Sequence, residues 1–597
     1  MDDLYALRRM QRLSISEWEE HITCKSVHLV PTTLRLPDDM DLTLLSLGTK
    51  FVPSMSLIMT RATNLAAVNR FAFDSRLRNL HLRKLEPIHR RRLSASLQQT
   101  TFQRTSVVTL PRDNLTKPQR KTLRSLSNNP LYVTLNADKN LGLTVMSTEW
   151  YEAQARAHLN DVTTYRLVTD WPLVSRRTAA RVIRCDKMSW PLVPASSSLA
   201  ATAERARKRQ KQQPPKVVTP KRTDVLRPCR FYIIPKVHKT PTSSRPIAAA
   251  HSFVTTRLSQ RLTPLLQHMV NKHKYIVPNS IEFLRQLEAL PKPLPRHARL
   301  FSADVESLYP NIDTDFALAT LNAPVLETFG PAHGATVNHA LDLVMRTLHV
   351  EFRNTIYLQT SGCAMGTPVA PPYANLFMHH ADSNVRTEFA KQLPLLCRYI
   401  DDYAGLWLGT DEEFNLFTAK MNAIHPRLRI VFSSLASTTS FLDVHVTITD
   451  GHVTTRLFRK SMNRYLFLPL SSQHPVPALT GWLTGEAIRM ARICSSRVIF
   501  EEQILFFRLL LRHRGFPARV INRALDRVMY ETIHARRFLP TNRNTTETVP
   551  PTVYLPLLFQ PTLARAVKRT LPTLGLFNAK LAWRINPSLG QLLSKNR

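Results

Sequence analysis

The sequence predicts an α+β fold, a mixed core set between helical flanks. Three observations carry this reading. Short β-prone runs and helix-like apolar periodicity alternate from about residue 131 to 458, the stretches on either side are helical in pattern, and no internal repeat appears.

Composition narrows the function classes. With 597 residues and 43% hydrophobic content, the chain has material for several domains and a large core, which excludes a disordered tail. Lys and Arg outnumber Asp and Glu by 81 to 43, a formal charge of +38, so the expected partner is a polyanion, either nucleic acid or an acidic membrane surface. No run of eighteen apolar residues occurs and the first residues do not read as a signal peptide, which favours nucleic acid, in the cytoplasm or nucleus, and no membrane. The six cysteines (24, 185, 229, 363, 397 and 494) are scattered without zinc spacing and read as reduced, mostly buried thiols. Only 14 glycines accompany 41 prolines, so two glycines in one short motif carry information.

In chain order, residues 1–125 read as a helical N-terminal region, with Leu4, Leu7, Met10 and Leu13 at helical spacing. A basic stretch from Arg76 to Arg92 is equally consistent with an RNA or DNA contact and with a solvated helix. Residues 131–135 and 143–146 read as strands around the polar turn 136–142, followed by a helix from Thr148. The Ser-, Arg- and Pro-rich stretch 196–223 reads as a flexible basic insertion. A strand is expected over 230–239, ending in basic residues that include Lys236, and Arg245 follows a short polar turn. Helical periodicity covers 255–270, and an apolar strand near 300 carries Asp304 into a turn. A helix over 335–349, the short run Tyr357-Leu358-Gln359, a glycine-bearing stretch at 361–368 and a helix through Met378 come next. Gly362 and Gly366 in that stretch suggest close backbone approach to a ligand. The run 395–407 reads as a hairpin with Asp401 and Asp402 at its tip; alone, the pair fits an ordinary surface turn as well as a site. A helix at 414–421, short strands at 428–432, 439–447 and 453–458, and helices at 501–511 and 518–530 complete the pattern.

If the strands bearing Asp304 and Asp401 are neighbours, their carboxylates converge. Hard dications such as Mg²⁺ take oxygen ligands, usually one or two carboxylates plus substrate phosphates, and a pair of such ions can activate a 3′ hydroxyl and stabilise leaving pyrophosphate. Lys236 and Arg245, upstream, have the chemistry to reach a triphosphate, although any lone Lys or Arg reads equally as a surface charge.

The order of segments resembles a reverse transcriptase, and the wording resembles the Penelope-like retroelement branch, relatives of telomerase. The matching strings are LSLGTKFVP at 45–53, ADK at 137–139, FYIIPKVHK at 231–239, RPI at 245–247, DVESLYPNI at 304–312, AMGTP at 364–368, RYIDD at 398–402, FLDV at 441–444, RK at 459–460 and SQHP at 472–475. The resemblance implies a right-hand polymerase, with fingers over 126–250, a palm over 251–456 and primer-support strands with a helical thumb over 457–597. It implies an RNA-directed DNA polymerase that copies an RNA template from a DNA primer with dNTPs, holding the RNA–DNA duplex and two Mg²⁺ ions, with Mn²⁺ as a substitute. Asp304, Asp401 and the backbone carbonyl of Val305 would be the principal metal ligands and Asp402 the adjacent, less direct acid. Lys236 and Arg245 would meet the triphosphate, Met365 and Gly366 the nascent base pair, and Tyr309 the sugar, where an aromatic ring excludes a 2′ hydroxyl. RNA-dependent RNA polymerases are the nearest mechanistic alternative, and a catalytically silent nucleic-acid-binding derivative is the alternative from another class.

The chain departs from the family pattern at His379-His380-Ala381-Asp382 and at Leu479, neither expected to touch the metal site. No GIY-YIG endonuclease motif is present, so the resemblance is to endonuclease-deficient members, which would work in the nucleus from a pre-existing 3′ end such as a chromosome terminus or break.

Overall fold

A computed structural model describes residues 27–31, 33–37, 39–54, 114–192, 226–539, 553–559 and 579–594. The expected helix at 4–20, the basic stretch 76–92 and the insertion 196–223 lie outside the described residues. Fifteen strands matter for the site: β1 Val27–Val30, β2 Tyr132–Asn136, β3 Leu143–Ser147, β4 Tyr165–Leu167, β5 Cys229–Lys236, β6 Ser243–Ala249, β7 Arg299–Val305, β8 His349–Phe352, β9 Thr355–Gln359, β10 Leu395–Tyr399, β11 Asp402–Trp407, β12 Ile430–Phe432, β13 Thr438–Phe441, β14 Val444–Thr449 and β15 His452–Leu457.

The central sheet has the order β10-β11-β7-β12, all antiparallel. It is buried on both faces, so alternation sorts its residues between two cores. Phe301, Ala303, Tyr403 and Trp407 pack with helices Thr256–Val270, Pro331–Arg346 and Ala370–Glu388. Leu300, Leu395, Cys397, Ala404 and Leu406 face the other way, onto helices Ser280–Glu288, Val476–Ile493 and Arg497–His513. Each large side chain so enclosed contributes roughly 1.5–3 kcal/mol of transfer free energy. Local chemistry sets the helix starts around this sheet: the Asn279 side chain accepts from the N–H groups of Ile281 and Glu282, and Thr410 with Glu413 forms a capping box.

Beside it lies a five-stranded sheet of order β4-β9-β8-β5-β6, which draws β8 and β9 from the far side of residue 250 to pair with β5 and β4. A three-stranded sheet, β1-β3-β2, stands next to that one, their apolar faces sharing Val133, Leu135, Met146, Phe231 and Ile233. A further antiparallel sheet, β13-β14-β15, follows the helix Asp411–Asn422.

Three expectations are corrected here. The N-terminal region is not uniformly helical, because Val27–Val30 pairs in parallel with β3; four residues are too few to show a strand period. The single strand expected at 439–447 is a hairpin, turned at Leu442-Asp443 with Leu442 in the left-handed region (φ +55°). The helix expected over 518–530 is two, Ala518–Leu525 and Tyr530–Ala535. The five described cysteines are all buried and free, as their scatter predicts.

Two strings from opposite ends of the chain meet. Val52 N–H donates to Ser472 Oγ at 2.7 Å, Gln473 N–H donates to the Val52 carbonyl at 3.0 Å, and Arg514 Nη2 donates to the Ser46 carbonyl at 2.8 Å. The N-terminal segment is thereby bonded to the foot of the C-terminal helices. Leu479, one of the departures, is a buried core residue of the first of those helices.

Candidate active site

Strand β7 carries Asp304 outward one residue before it ends, while the hairpin β10–β11 turns at Ile400-Asp401. Because β11 pairs directly with β7, Asp402 lies opposite Asp304 in register, and Val305 N–H donates to the Asp401 carbonyl at 3.0 Å. Carboxylate oxygens of Asp304, Asp401 and Asp402 all fall within 4.8 Å of one another. The three acids are therefore one cluster, and the direct cross-strand partner of Asp304 is Asp402 rather than Asp401. Val305 has a buried side chain, so its contribution to a metal would come from the backbone.

The cluster is electrostatically strained. Asp402 reaches solvent, yet the protein around it displaces enough water that desolvation, followed by the charges of Asp401 and Asp304, pushes its carboxyl up to about 6. Asp401 is also raised, by burial first and by Asp304, while Arg245 and Lys460 pull the other way. Three hard oxygen donors this close, with the charged forms of Asp401 and Asp402 disfavoured, suit a divalent cation.

The backbone at the tip is strained as well. Ile400, a β-branched residue, sits at φ +59°, where only glycine is comfortable. Beneath it, Arg398 donates from Nη1 to the Ile400 carbonyl at 3.2 Å, from Nη1 and Nη2 to the Asn375 side chain and carbonyl at 2.9 and 3.0 Å, and from Nε to Asp382 at 3.0 Å. Asp382 also accepts from Tyr275 at 2.5 Å and Tyr403 at 2.8 Å. Both charged side chains are wholly buried. The 379–382 departure does not touch the three carboxylates, yet Asp382 is linked to the turn that presents them through Arg398. A charged residue inside the apolar run 395–407 was the available signal, since a buried Arg requires a buried acid.

Lys236 ends β5 and Arg245 lies on β6, the two strands pairing with Ile234 opposite Arg245 and Lys236 opposite Ser243. Arg245 Nη2 is 3.3 Å from Asp138 Oδ2 and near enough to Asp401 to influence it. Partial burial, then Arg245, holds the Lys236 ammonium below the ordinary lysine range. Tyr309 sits on the single turn Leu308–Asn311, half-buried, with Asp401 and Tyr399 among the groups that raise its phenol after burial itself.

The glycine loop is held to both sides. Cys363 N–H donates to the Tyr309 carbonyl at 2.7 Å. Gly366 has φ +112°, and a Cβ there would stand 2.5 Å from the Ala248 carbonyl; a Cβ on Gly362 would stand 2.8 Å from the Pro310 carbonyl. The close approach these glycines permit is made by the protein's own backbone, joining Met365-Gly366 to the strand that bears Arg245.

Comparison with known proteins gives the following. A sequence-family model described as an animal helix-turn-helix domain matches residues 466–526, the stretch containing helices Val476–Ile493, Arg497–His513 and Ala518–Leu525. No curated protein matches the chain. Among solved structures, a telomerase from Candida albicans in complex with a TWJ fragment of telomeric RNA is similar at 11% identity and a TM-score of 0.44, over 81% of this chain and 71% of that one. An apo telomerase from Candida tropicalis is similar at 9% identity and 0.39, over 78% and 76%. The BmCPV RNA-dependent RNA polymerase at elongation state is similar at 12% identity and 0.34, over 81% of this chain and 44% of that one. Among the described residues no helix is long and apolar enough to cross a membrane.

Proposed function

We propose that this chain is a template-directed nucleotidyltransferase, an RNA-directed DNA polymerase of the Penelope-like retroelement type, working in the nucleus on an RNA template, a DNA primer and dNTPs. The observation that carries the reading is the three-carboxylate cluster at the tip of two paired strands, with the cation Arg245 close enough to act on Asp401 and Lys236 on the strand paired with that of Arg245.

Asp304, Asp401 and Asp402, with the Val305 carbonyl, would hold Mg²⁺ or Mn²⁺, which would supply the charge that lets a 3′ hydroxyl lose its proton and pyrophosphate depart. The rest falls to this chain's own groups. Lys236 and Arg245 bind triphosphate oxygens and orient the α-phosphorus toward the primer; the 3′ oxygen forms its bond to that phosphorus as the bond to the bridging oxygen breaks. Tyr309 lies under the sugar and leaves no room for a 2′ hydroxyl. The loop at Met365-Gly366 floors the base pair, and the +38 surface holds the duplex by its phosphates.

Primer extension by the purified protein on oligo(dT)-primed poly(rA) tests the reading. Asp401→Asn should lower Mg²⁺-dependent dTTP incorporation by about 10²–10³-fold or more while duplex binding persists. Unchanged extension would remove the metal assignment, and preferential use of rNTPs on the same template would make the enzyme an RNA-dependent RNA polymerase and overturn the role of Tyr309.

A further inference from the structure

Residues 137–142 form a tight polar turn between β2 and β3, closed by Ala137 N–H donating to the Gly142 carbonyl at 2.8 Å. Its far end is held by β1, where His28 Nε2 lies 3.1 Å from the Leu141 carbonyl. At the apex are two charged residues with opposite fates. Asp138 is buried and pairs with Arg245 at 3.3 Å, whereas Lys139 is exposed and sits in the left-handed region at φ +58°. That backbone conformation is strained for a non-glycine residue, and glycine would relieve it.

The surroundings are predominantly positive. Lys139, Lys236, Lys239 and Arg245 crowd together, with Asp138 as the one acid among the charges that act on Lys236. His238, in the same group, has a buried Nδ1 without a hydrogen-bond partner among the described residues, and Asp138 Oδ2 meets Arg245 at ion-pair distance without a hydrogen bond. Clustered cations beside an orphaned polar atom describe a site whose charge is balanced by an anionic ligand.

We infer that Lys139 is a third cation for the incoming triphosphate, carried beside Lys236 by the 137–142 turn, and that Asp138 aims Arg245 at the same phosphates. The inference rests on the polymerase reading and adds to it a residue from outside the β5–β6 hairpin. The triphosphate enters between two sheets, with Lys139 on the β2–β3 turn of one and Lys236 and Arg245 on paired strands of the other. Strand β1, through His28, is part of the nucleotide site's framework.

The experiment measures KM for dTTP on oligo(dT)-primed poly(rA), with the Kd for the primed template measured separately. Lys139→Gly removes the charge and relieves the backbone, so the variant should be at least as stable thermally as the wild type. Its KM should rise about tenfold, the loss expected for one charge-assisted contact of about 1.4 kcal/mol, with template Kd within about twofold and Lys139→Arg restoring most of the affinity. An unchanged KM, or a template Kd that rises as much as KM and so places Lys139 on nucleic acid, would overturn the inference. Inorganic tripolyphosphate titrated calorimetrically against the same three proteins separates the two readings. Lys139-dependent binding by a protein that incorporates no nucleotide would keep the anion site and sink the polymerase, while Lys139-independent binding by an active enzyme would sink this inference alone.

Discussion

Arg398 and Asp382 form an ion pair at 3.0 Å with both side chains wholly excluded from solvent, directly beneath the turn that presents Asp401. Such a pair gains little against an apolar replacement, but breaking it strands a charge in the core at about 3–5 kcal/mol. Asp382→Asn is therefore expected to lower the unfolding free energy, measured in urea, by an amount in that range. Because Arg398 also holds the Ile400 carbonyl, Arg398→Lys should slow extension through kcat with dTTP KM nearly unchanged, since one ammonium cannot serve the four acceptors the guanidinium reaches. Retained stability in Asp382→Asn, measured by denaturant titration, would mean the pair is dispensable.

The same network predicts an acid sensitivity. His379 stacks on His273 at 3.4 Å and lies 2.9 Å from the Tyr275 hydroxyl; burial first, then His273, Arg398, Arg386 and His380, push it down to about 4, with Tyr275 and Asp382 completing its surroundings. A histidine lowered in the folded state takes its proton later than in the unfolded chain, where its pKa is about 6.5. Stability should thus fall as pH drops from about 6.5 toward about 4, and His379→Gln should flatten that part of the curve. Parallel thermal midpoints for the two proteins between pH 7 and pH 5 would rule out the assignment.

Asp402 works in the opposite sense. Its folded pKa, raised to about 6 by desolvation and then by Asp401 and Asp304, means that the cost of its charge is fully present at pH 7, fades as pH falls through about 6 and is gone below its unfolded value. Without divalent ions, Asp402→Asn should raise the thermal midpoint, and Mg²⁺ should stabilise the wild type more than the variant. Extension should be lost together with that response. Scanning calorimetry with and without Mg²⁺ decides it, and an unstabilised variant would show that the three carboxylates do not repel.

Gly366→Ala probes the loop. A methyl group 2.5 Å from the Ala248 carbonyl at φ +112° cannot be accommodated without moving the backbone. The expected result is a loss of about 1–3 kcal/mol together with a higher dTTP KM, because the loop is packed against the strand of Arg245. Normal stability and kinetics would show that the loop yields freely.

Local chemistry made much of this protein legible. The alternation in 299–305 and 395–407, the acidic turn, the strand pair around 136–142 and most helices are written in side-chain periodicity over a few residues, which the backbone obeys whatever surrounds it. Short edge strands such as Val27–Val30 and the second turn at Leu442 carry no such period and were not visible. The rest was decided by tertiary structure. Register between β7 and β11 chose Asp402 as the residue facing Asp304, burial bound Asp382 to Arg398, and sheet packing brought Asp138 to Arg245. Each joins side chains far apart in sequence, and the physical reason is the same throughout. A buried or clustered charge is tolerated only when its partner arrives from elsewhere in the fold, so its meaning is absent from its own neighbourhood in the chain.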